Sequence, residues 1–159
     1  MNKLTKNKIH FVLGLPFTGK TTYVRENFSD KQRYYIIDYG EIFFELYGNY
    51  DDLNNNEKSS VVYEKILQEI KDAVSQFNVT LVAEYCTGFH SSTMKLEKLI
   101  DRFEANNWKI TVKQMHTGIN VHSFQQSAEE DPRYCPSLIL NDHHYNLLNY
   151  YLQEKILSN

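Results

Sequence analysis

The apolar positions change period repeatedly along the chain, alternating between strand-like runs and helical stripes. Ile9–Leu13 is a short, nearly continuous apolar run, and a glycine-bounded loop follows it at once. A helix is expected from about Lys20 to Phe28. Tyr34-Tyr35-Ile36-Ile37-Asp38 is rich in β-formers and predicts a second strand ending on a carboxylate. Glu41–Tyr47 reads as helix, and Gly48 with the polar run Asn49–Asn56 reads as loop. From Glu57 to Phe77, Val62, Ile66, Ile70, Val74 and Phe77 form one stripe, flanked by Val61, Leu67 and Ala73, which predicts a long amphipathic helix.

The alternation continues. Val79–Ala83 predicts a third, buried strand ending at Glu84. Ser91 or Ser92 is a candidate cap for a helix that turns Leu96, Leu99, Ile100 and Phe103 inward. Lys109–Met115 predicts a fourth strand, with Ile110, Val112 and Gln114 opposed to Thr111 and Lys113. Gly118–Pro136 has no clean period. Ser137–Leu157 reads as a final helix with Leu140, Leu147, Leu148, Tyr151 and Leu152 on its apolar side. Short strands separated by helices require crossover connections, so the expected class is α/β with a mostly parallel sheet covered on both faces.

Length and composition narrow this reading. The 159 residues suit one domain spanning 1–159. No apolar run is long enough for a membrane span. The basic N-terminus leads directly into the glycine loop without a small-residue cleavage site, so no signal peptide is expected. Two cysteines make no disulfide framework, and a cytoplasmic location is the default expectation. The net charge of −3 is unevenly spread. Residues 1–33 carry seven Lys/Arg against two Asp/Glu, and residues 34–77 carry three against nine. The basic first segment suits an anionic ligand. The acidic second segment argues against a broad nucleic-acid groove.

The loop Gly14-Leu15-Pro16-Phe17-Thr18-Gly19-Lys20-Thr21 carries the strongest chemical signal. Its spacing, Gly-x-x-x-x-Gly-Lys-Thr between a strand and a helix, wraps backbone N–H groups around phosphate oxygens. Lys20 supplies a cation for the β- and γ-phosphates. Thr21 offers a hydroxyl to Mg²⁺, and Thr22 continues the helix N-terminus that faces the anion. A nucleoside triphosphate with Mg²⁺ is the implied ligand pair. In an open parallel sheet, ligands lie beyond the carboxyl ends of the strands, so Asp38 and Glu84 are candidates beside the phosphates. Asp38 would position or deprotonate an acceptor hydroxyl, with Glu41 as its rival. Glu84 would act on Mg²⁺ through water, or on the substrate, if its strand neighbours the phosphate-loop strand. The bland alternatives are that Asp38 caps the following turn and that Glu84 faces solvent. Arg133, among Glu129-Glu130-Asp131, either swings over the nucleotide or pairs with those acids. Cys86 reads as a small filler.

With these motifs in place, the chain resembles small P-loop kinases, in particular the zeta-toxin group. The likeness rests on the phosphate loop, the Ile36-Ile37-Asp38 strand end and the long helix. It also rests on Leu81-Val82-Ala83-Glu84-Tyr85-Cys86-Thr87, where the family has a strand ending in Glu-Gly-Thr, and on Arg133-Tyr134-Cys135-Pro136, similar to a lid motif. The resemblance implies a three-layer P-loop NTPase fold, with strand order 2-3-1-4, an optional fifth strand and a helical lid over about 118–136. It further implies ATP- and Mg²⁺-dependent phosphorylation of a small-molecule hydroxyl. Lys20, Asp38 and Arg133 would then be catalytic, and Asp38, Glu41 and Glu84 would lie toward the substrate. The second Asp of the family's Asp-x-Asp is Gly40 here. Two other readings stay open: a nucleotide-binding module without transfer, and a kinase for nucleosides or polynucleotide ends. An antitoxin-like protein partner is possible in such a family and is not readable from these residues. Acceptor choice is assigned to the loop 48–57 and the turn 85–90.

Overall fold

The computed structural model describes residues 7–14, 19–49, 55–76, 80–86 and 90–115, together with positions 126 and 130. Its elements run β1 (Lys8–Gly14), α1 (Lys20–Asn27), β2 (Tyr34–Asp38), α2 (Tyr39–Tyr47), α3 (Asn56–Gln76), β3 (Thr80–Cys86), α4 (His90–Ala105) and β4 (Lys109–Gln114). The four strands form one sheet in the order β2-β3-β1-β4, and every pairing is parallel. The expected class and strand order are therefore those observed. The segments read as a lid (118–136) and as a final helix (137–157) fall outside the described residues, apart from the isolated positions 126 and 130.

The pleat assigns alternate residues of each strand to opposite faces. Ile9, Phe11 and Leu13 of β1 join Leu81, Ala83 and Tyr85 of β3 and Ile37 of β2 in the larger core, under α2, α3 and α4. Phe11 meets Phe103 edge-on at 6.1 Å, and Phe103 meets Trp108 at 4.7 Å. The opposite face is thinner. There Val12 and Val82 pack on Val24 of α1, with Tyr23, Phe28, Tyr34 and Met115 around them. Helices therefore cover both faces, the heavier layer holding three of them.

Local chemistry sets most boundaries. Asp38 is the N-cap of α2, its Oδ1 accepting the Glu41 N–H at 3.1 Å, so that helix starts two residues earlier than the pattern predicts. Gly48, at φ +77°, closes it with a hydrogen bond from its N–H to the Phe44 carbonyl. The α4 helix begins at His90, ahead of both serines proposed as caps. Ser91 instead turns inward, 5 % exposed, and its Oγ accepts from Ser59 Oγ at 3.0 Å. Tyr39 completes this buried chain by donating to Ser59 at 3.1 Å, so α2, α3 and α4 are tied by hydroxyls. The α3 stripe is also rotated from its expected centre. Val62, Tyr63, Ile66 and Ala73 are buried, whereas Val61 and Val74 are exposed.

Candidate active site

The phosphate loop connects the end of β1 to the first turn of α1. Of its residues, Gly14, Gly19, Lys20 and Thr21 are described, as is Thr22; Leu15, Pro16, Phe17 and Thr18 lie outside the described residues, and so does Arg133. Gly19 occupies the N-cap position of α1 at φ +85°, a left-handed conformation that side chains with a Cβ disfavour. The first turn of α1 carries no acidic residue. The positive dipole end of α1 is therefore not offset by an acid of its own first turn. Lys20 is 7 % exposed, held close to the protein surface rather than extended into water.

Strand register brings the carboxylates to this point. Because β3 lies directly beside β1, Glu84 pairs in register with Val12, two residues before Gly14. On its other side Glu84 pairs with Asp38 of β2. Glu84 and Val82 share the α1 face by the pleat, so the Glu84 side chain turns toward the helix that starts at Lys20. Thr21 Oγ1 donates to Glu84 Oε1 at 2.5 Å. Glu84 is 5 % exposed, which excludes the solvent-facing alternative. The strand also continues to Cys86, so Glu84 is not its last residue.

Burial raises the Glu84 carboxyl first, and the neighbouring Asp38 charge and a hydrogen bond with Asp38 add to it. The Thr21 hydroxyl and the Lys20 charge pull the other way, and Glu84 ends up pushed up to about 7. Near neutral pH Glu84 therefore still carries its proton in part of the population. Asp38 meanwhile uses one oxygen to cap α2, so the capping alternative and a place at the site are both satisfied by one residue.

A cleft of about 660 Å³ opens beside this pair. Its floor and walls include Phe28, Tyr34, Ile36 and Ile42, with Thr21, Asp38 and Glu84 at the phosphate-loop end. Phe28 is fixed by rings on three sides: His10 stacked at 5.2 Å, Tyr34 edge-on at 5.0 Å and Tyr23 at 6.2 Å. Glu41 also lines the cleft, on the exposed side of α2. Arg25, Lys31, Glu45 and Glu69 line it too, and the sequence reading does not single them out. They are ordinary charged residues of solvent-facing helix surfaces and a turn, and only the tertiary fold brings them together. The loop and turn expected to shape this cleft are described only in part, residues 50–54 and 87–89 lying outside the described set.

A hydroxyl and a carboxylate are hard oxygen donors of the kind that suits Mg²⁺, which is commonly held by one or two protein oxygens together with substrate phosphates and water. Thr21 and Glu84 fit that requirement. Among the described residues no cluster of three His, Cys, Asp or Glu side chains forms a metal cage, and no helix is long and apolar enough to cross a membrane.

No protein-family model matches the chain, and no curated protein matches it. Solved structures do. A chain of the Pnkp1/Rnl/Hen1 RNA repair complex superposes with a TM-score of 0.63 at 14 % identity, over 96 % of this chain and 47 % of that one. A chain from the PezAT chromosomal toxin–antitoxin system of Streptococcus pneumoniae gives 0.53 at 18 % identity, over 96 % and 66 %. The crystal structure of APE1195 gives 0.53 at 13 % identity, over 98 % and 97 %. This chain therefore spans about half the length of the RNA-repair chain. At such identities the likeness concerns the fold alone. The parallel 2-3-1-4 sheet, with a phosphate-loop sequence leaving its β1 strand, is the α/β fold that this chain shares with these structures.

Proposed function

We propose that this protein is an ATP- and Mg²⁺-dependent phosphotransferase that moves the γ-phosphoryl group to a hydroxyl of a small molecule. The observation that carries the reading is the hydrogen bond from Thr21 to Glu84 at the mouth of a cleft. It joins the last residue of the phosphate loop to a carboxylate on the neighbouring strand, with an acceptor-sized space alongside. A module that only binds nucleotide can use the same Thr21–Glu84 pair around Mg²⁺, but it has no need of the cleft with Asp38 beside that pair.

In this reading the phosphate-loop N–H groups and Lys20 hold the β- and γ-phosphates, and the N-terminus of α1 adds its partial positive charge. Thr21 and Glu84 would hold Mg²⁺, directly and through water, and the ion would neutralise charge on the transferring phosphoryl. Asp38, on the cleft side of Glu84, orients the acceptor hydroxyl and takes its proton as the oxygen attacks phosphorus. Glu41 is less suited to that role. Its side chain is exposed on α2, whereas Asp38 lies in register beside Glu84. Arg133 is the candidate cation for closing the site.

The test is transfer itself. Phosphorus NMR on ATP with a panel of hydroxyl acceptors is expected to show a new phosphomonoester, lost on Lys20→Ala and strongly reduced on Asp38→Asn. Slow ATP hydrolysis alone, unchanged by Asp38→Ala, would reject the phosphotransferase reading.

A further inference from the structure

Asp38 and Glu84 are each followed by a tyrosine, and the register of β2 on β3 gives that repetition a structural meaning. The two carboxylates form one rung of a parallel pair, and their side chains share a hydrogen bond. The next residue of each strand end turns to the opposite face, so Tyr39 and Tyr85 meet in the larger core. Their ring centroids lie 4.5 Å apart, near the spacing of neighbouring strands, with the planes tilted by 36°. Both rings are closed to water. Beyond the stack, the Tyr39 hydroxyl donates to Ser59 Oγ at 3.1 Å, and Ser59 Oγ donates to Ser91 Oγ at 3.0 Å. Ser59 belongs to α3 and Ser91 to the first turn of α4, and both are buried. Cohesion alone does not call for these hydroxyls. Phenylalanine at 39 and alanine at 59 and 91 would fill nearly the same space without taking polar atoms out of water. What a satisfied buried chain adds is one defined arrangement of the elements it joins.

Resting on the phosphotransferase reading, we infer that Tyr39 is a positioning residue of the transfer site: stacked on Tyr85 and anchored through Ser59 to α3 and α4, it fixes from the core side where Asp38 stands relative to Glu84. The lever is short. Asp38 ends β2 and caps α2, so its backbone is the joint between a strand and a helix, and Tyr39 is the first helical residue past that joint. Glu84 is held from both sides, by β1 and β2, and by Thr21. Asp38 stands on the edge strand of the four and has a strand neighbour on one side only. Its place therefore depends more on the anchor behind it. A slack anchor lets the joint swing, and a shift of about 0.5–1 Å is enough to spoil the alignment that transfer needs. The phosphate loop leaves β1 and is not a member of this chain of contacts. Loosening Tyr39 should thus slow the chemical step and leave nucleotide affinity in place.

The test follows ADP release from MgATP by the full chain, with water and with the panel of hydroxyl acceptors, beside calorimetric binding of the non-hydrolysable analogue AMP-PNP with Mg²⁺. Tyr39→Phe keeps the ring and removes the anchor, and Ser59→Ala removes the same hydrogen bond from its other end. Each is expected to lower kcat about three- to tenfold while KM for MgATP and AMP-PNP affinity stay within about twofold. The double variant should fall no further than either single one, because both delete one interaction. In an Asp38→Asn background, Tyr39→Phe should have almost no further effect, which a purely cohesive role would not produce. Phe103→Leu, in the same core on α4, is the control and is expected to lower the melting temperature with kcat unchanged. An equal loss of kcat in Phe103→Leu and Tyr39→Phe, or full kcat in Tyr39→Phe and Ser59→Ala, overturns the inference. Crystal structures separate it from the reading on which it rests. If the Asp38–Glu84 carboxyl separation moves by about 0.5 Å or more in Tyr39→Leu and no protein transfers phosphate, the positioning role stands and the phosphotransferase reading fails. An unmoved pair in Tyr39→Leu overturns the positioning role, whatever the rates.

Discussion

Replacing Glu84 by Gln separates the role of its charge from the role of its shape. In the folded protein this carboxyl sits at about 7 against an ordinary 4.5. At about 1.4 kcal/mol per pKa unit, the difference amounts to about 3 kcal/mol. The sign follows from proton counting. Between pH 4.5 and 7 the native state keeps the Glu84 proton and the unfolded chain has released it, so this group's contribution to stability falls as pH rises through that window. The amide of the Glu84→Gln variant does not titrate and still presents an oxygen to the Thr21 hydroxyl. The stability of Glu84→Gln minus that of the wild type should therefore grow by about 3 kcal/mol from about pH 4 to about pH 8. For a chain of this size that corresponds to about 6–12 °C in Tm. Urea or thermal melts of both proteins across this range give the difference directly, and the other acids largely cancel in it. Parallel curves over the whole range would refute the assignment of a raised carboxyl. Asp38→Asn supplies the internal check, because removing the Asp38 charge should move the wild-type window to lower pH while burial still holds it above 4.5. The same Glu84→Gln exchange should lower phosphoryl transfer, a gain in stability at the expense of the chemistry.

Three further outcomes follow from the geometry. Asp38→Ala should lose both the α2 cap, at about 1 kcal/mol, and turnover. Asp38→Asn should keep the cap and a near-native melting curve yet lose at least about tenfold in kcat, and equal melting losses in the two variants would remove the capping role. Gly19→Ala should cost about 1–2 kcal/mol in urea unfolding. That cost comes from the left-handed backbone, because a Cβ there would make only ordinary contact, 3.8 Å from Met115 Cε; a neutral result would mean the loop relaxes to negative φ. Phe11→Ala, which empties a fully buried position between the sheet and Phe103, should cost about 3–5 kcal/mol, checked by the shift of the urea midpoint at constant m-value.

Much of this is readable in the chain because the signals are local. Short apolar runs in β1 and β3, period-two alternation in β4, a long apolar stripe in α3 and glycine at position 48 each depend on neighbouring residues alone. The phosphate loop is likewise a local motif, and the strand order comes from the family resemblance it supports. What is not legible depends on convergence. Ser91 looks like a cap because it precedes an apolar stripe, but its burial against Ser59 is set by how α3 and α4 pack. Arg25, Lys31, Glu45 and Glu69 are ordinary charged residues in sequence, and only the crossover topology gathers them around one space. Asp38 shows the limit from another side. In sequence the cap and the base read as rivals, although a carboxylate has two oxygens and can serve a backbone N–H with one while the other stays available.

The pleat of β3 has a consequence for how such a protein can change over time. Leu81, Ala83 and Tyr85 are committed to the heavy core, while Val82 and Glu84 between them look toward α1 and the cleft. Chemistry and cohesion are thus interleaved residue by residue yet physically separated by the thickness of one sheet. A substitution at Glu84 samples new chemistry with little disturbance of the three-helix layer, whereas Val82 is held by the smaller core against Val12 and Val24, and the odd positions are held by the larger one. Substrate preference can therefore drift under selection while the scaffold is conserved by its own packing. A library randomised only at cleft-facing positions should retain a far larger folded fraction than one of equal size drawn from the alternate set.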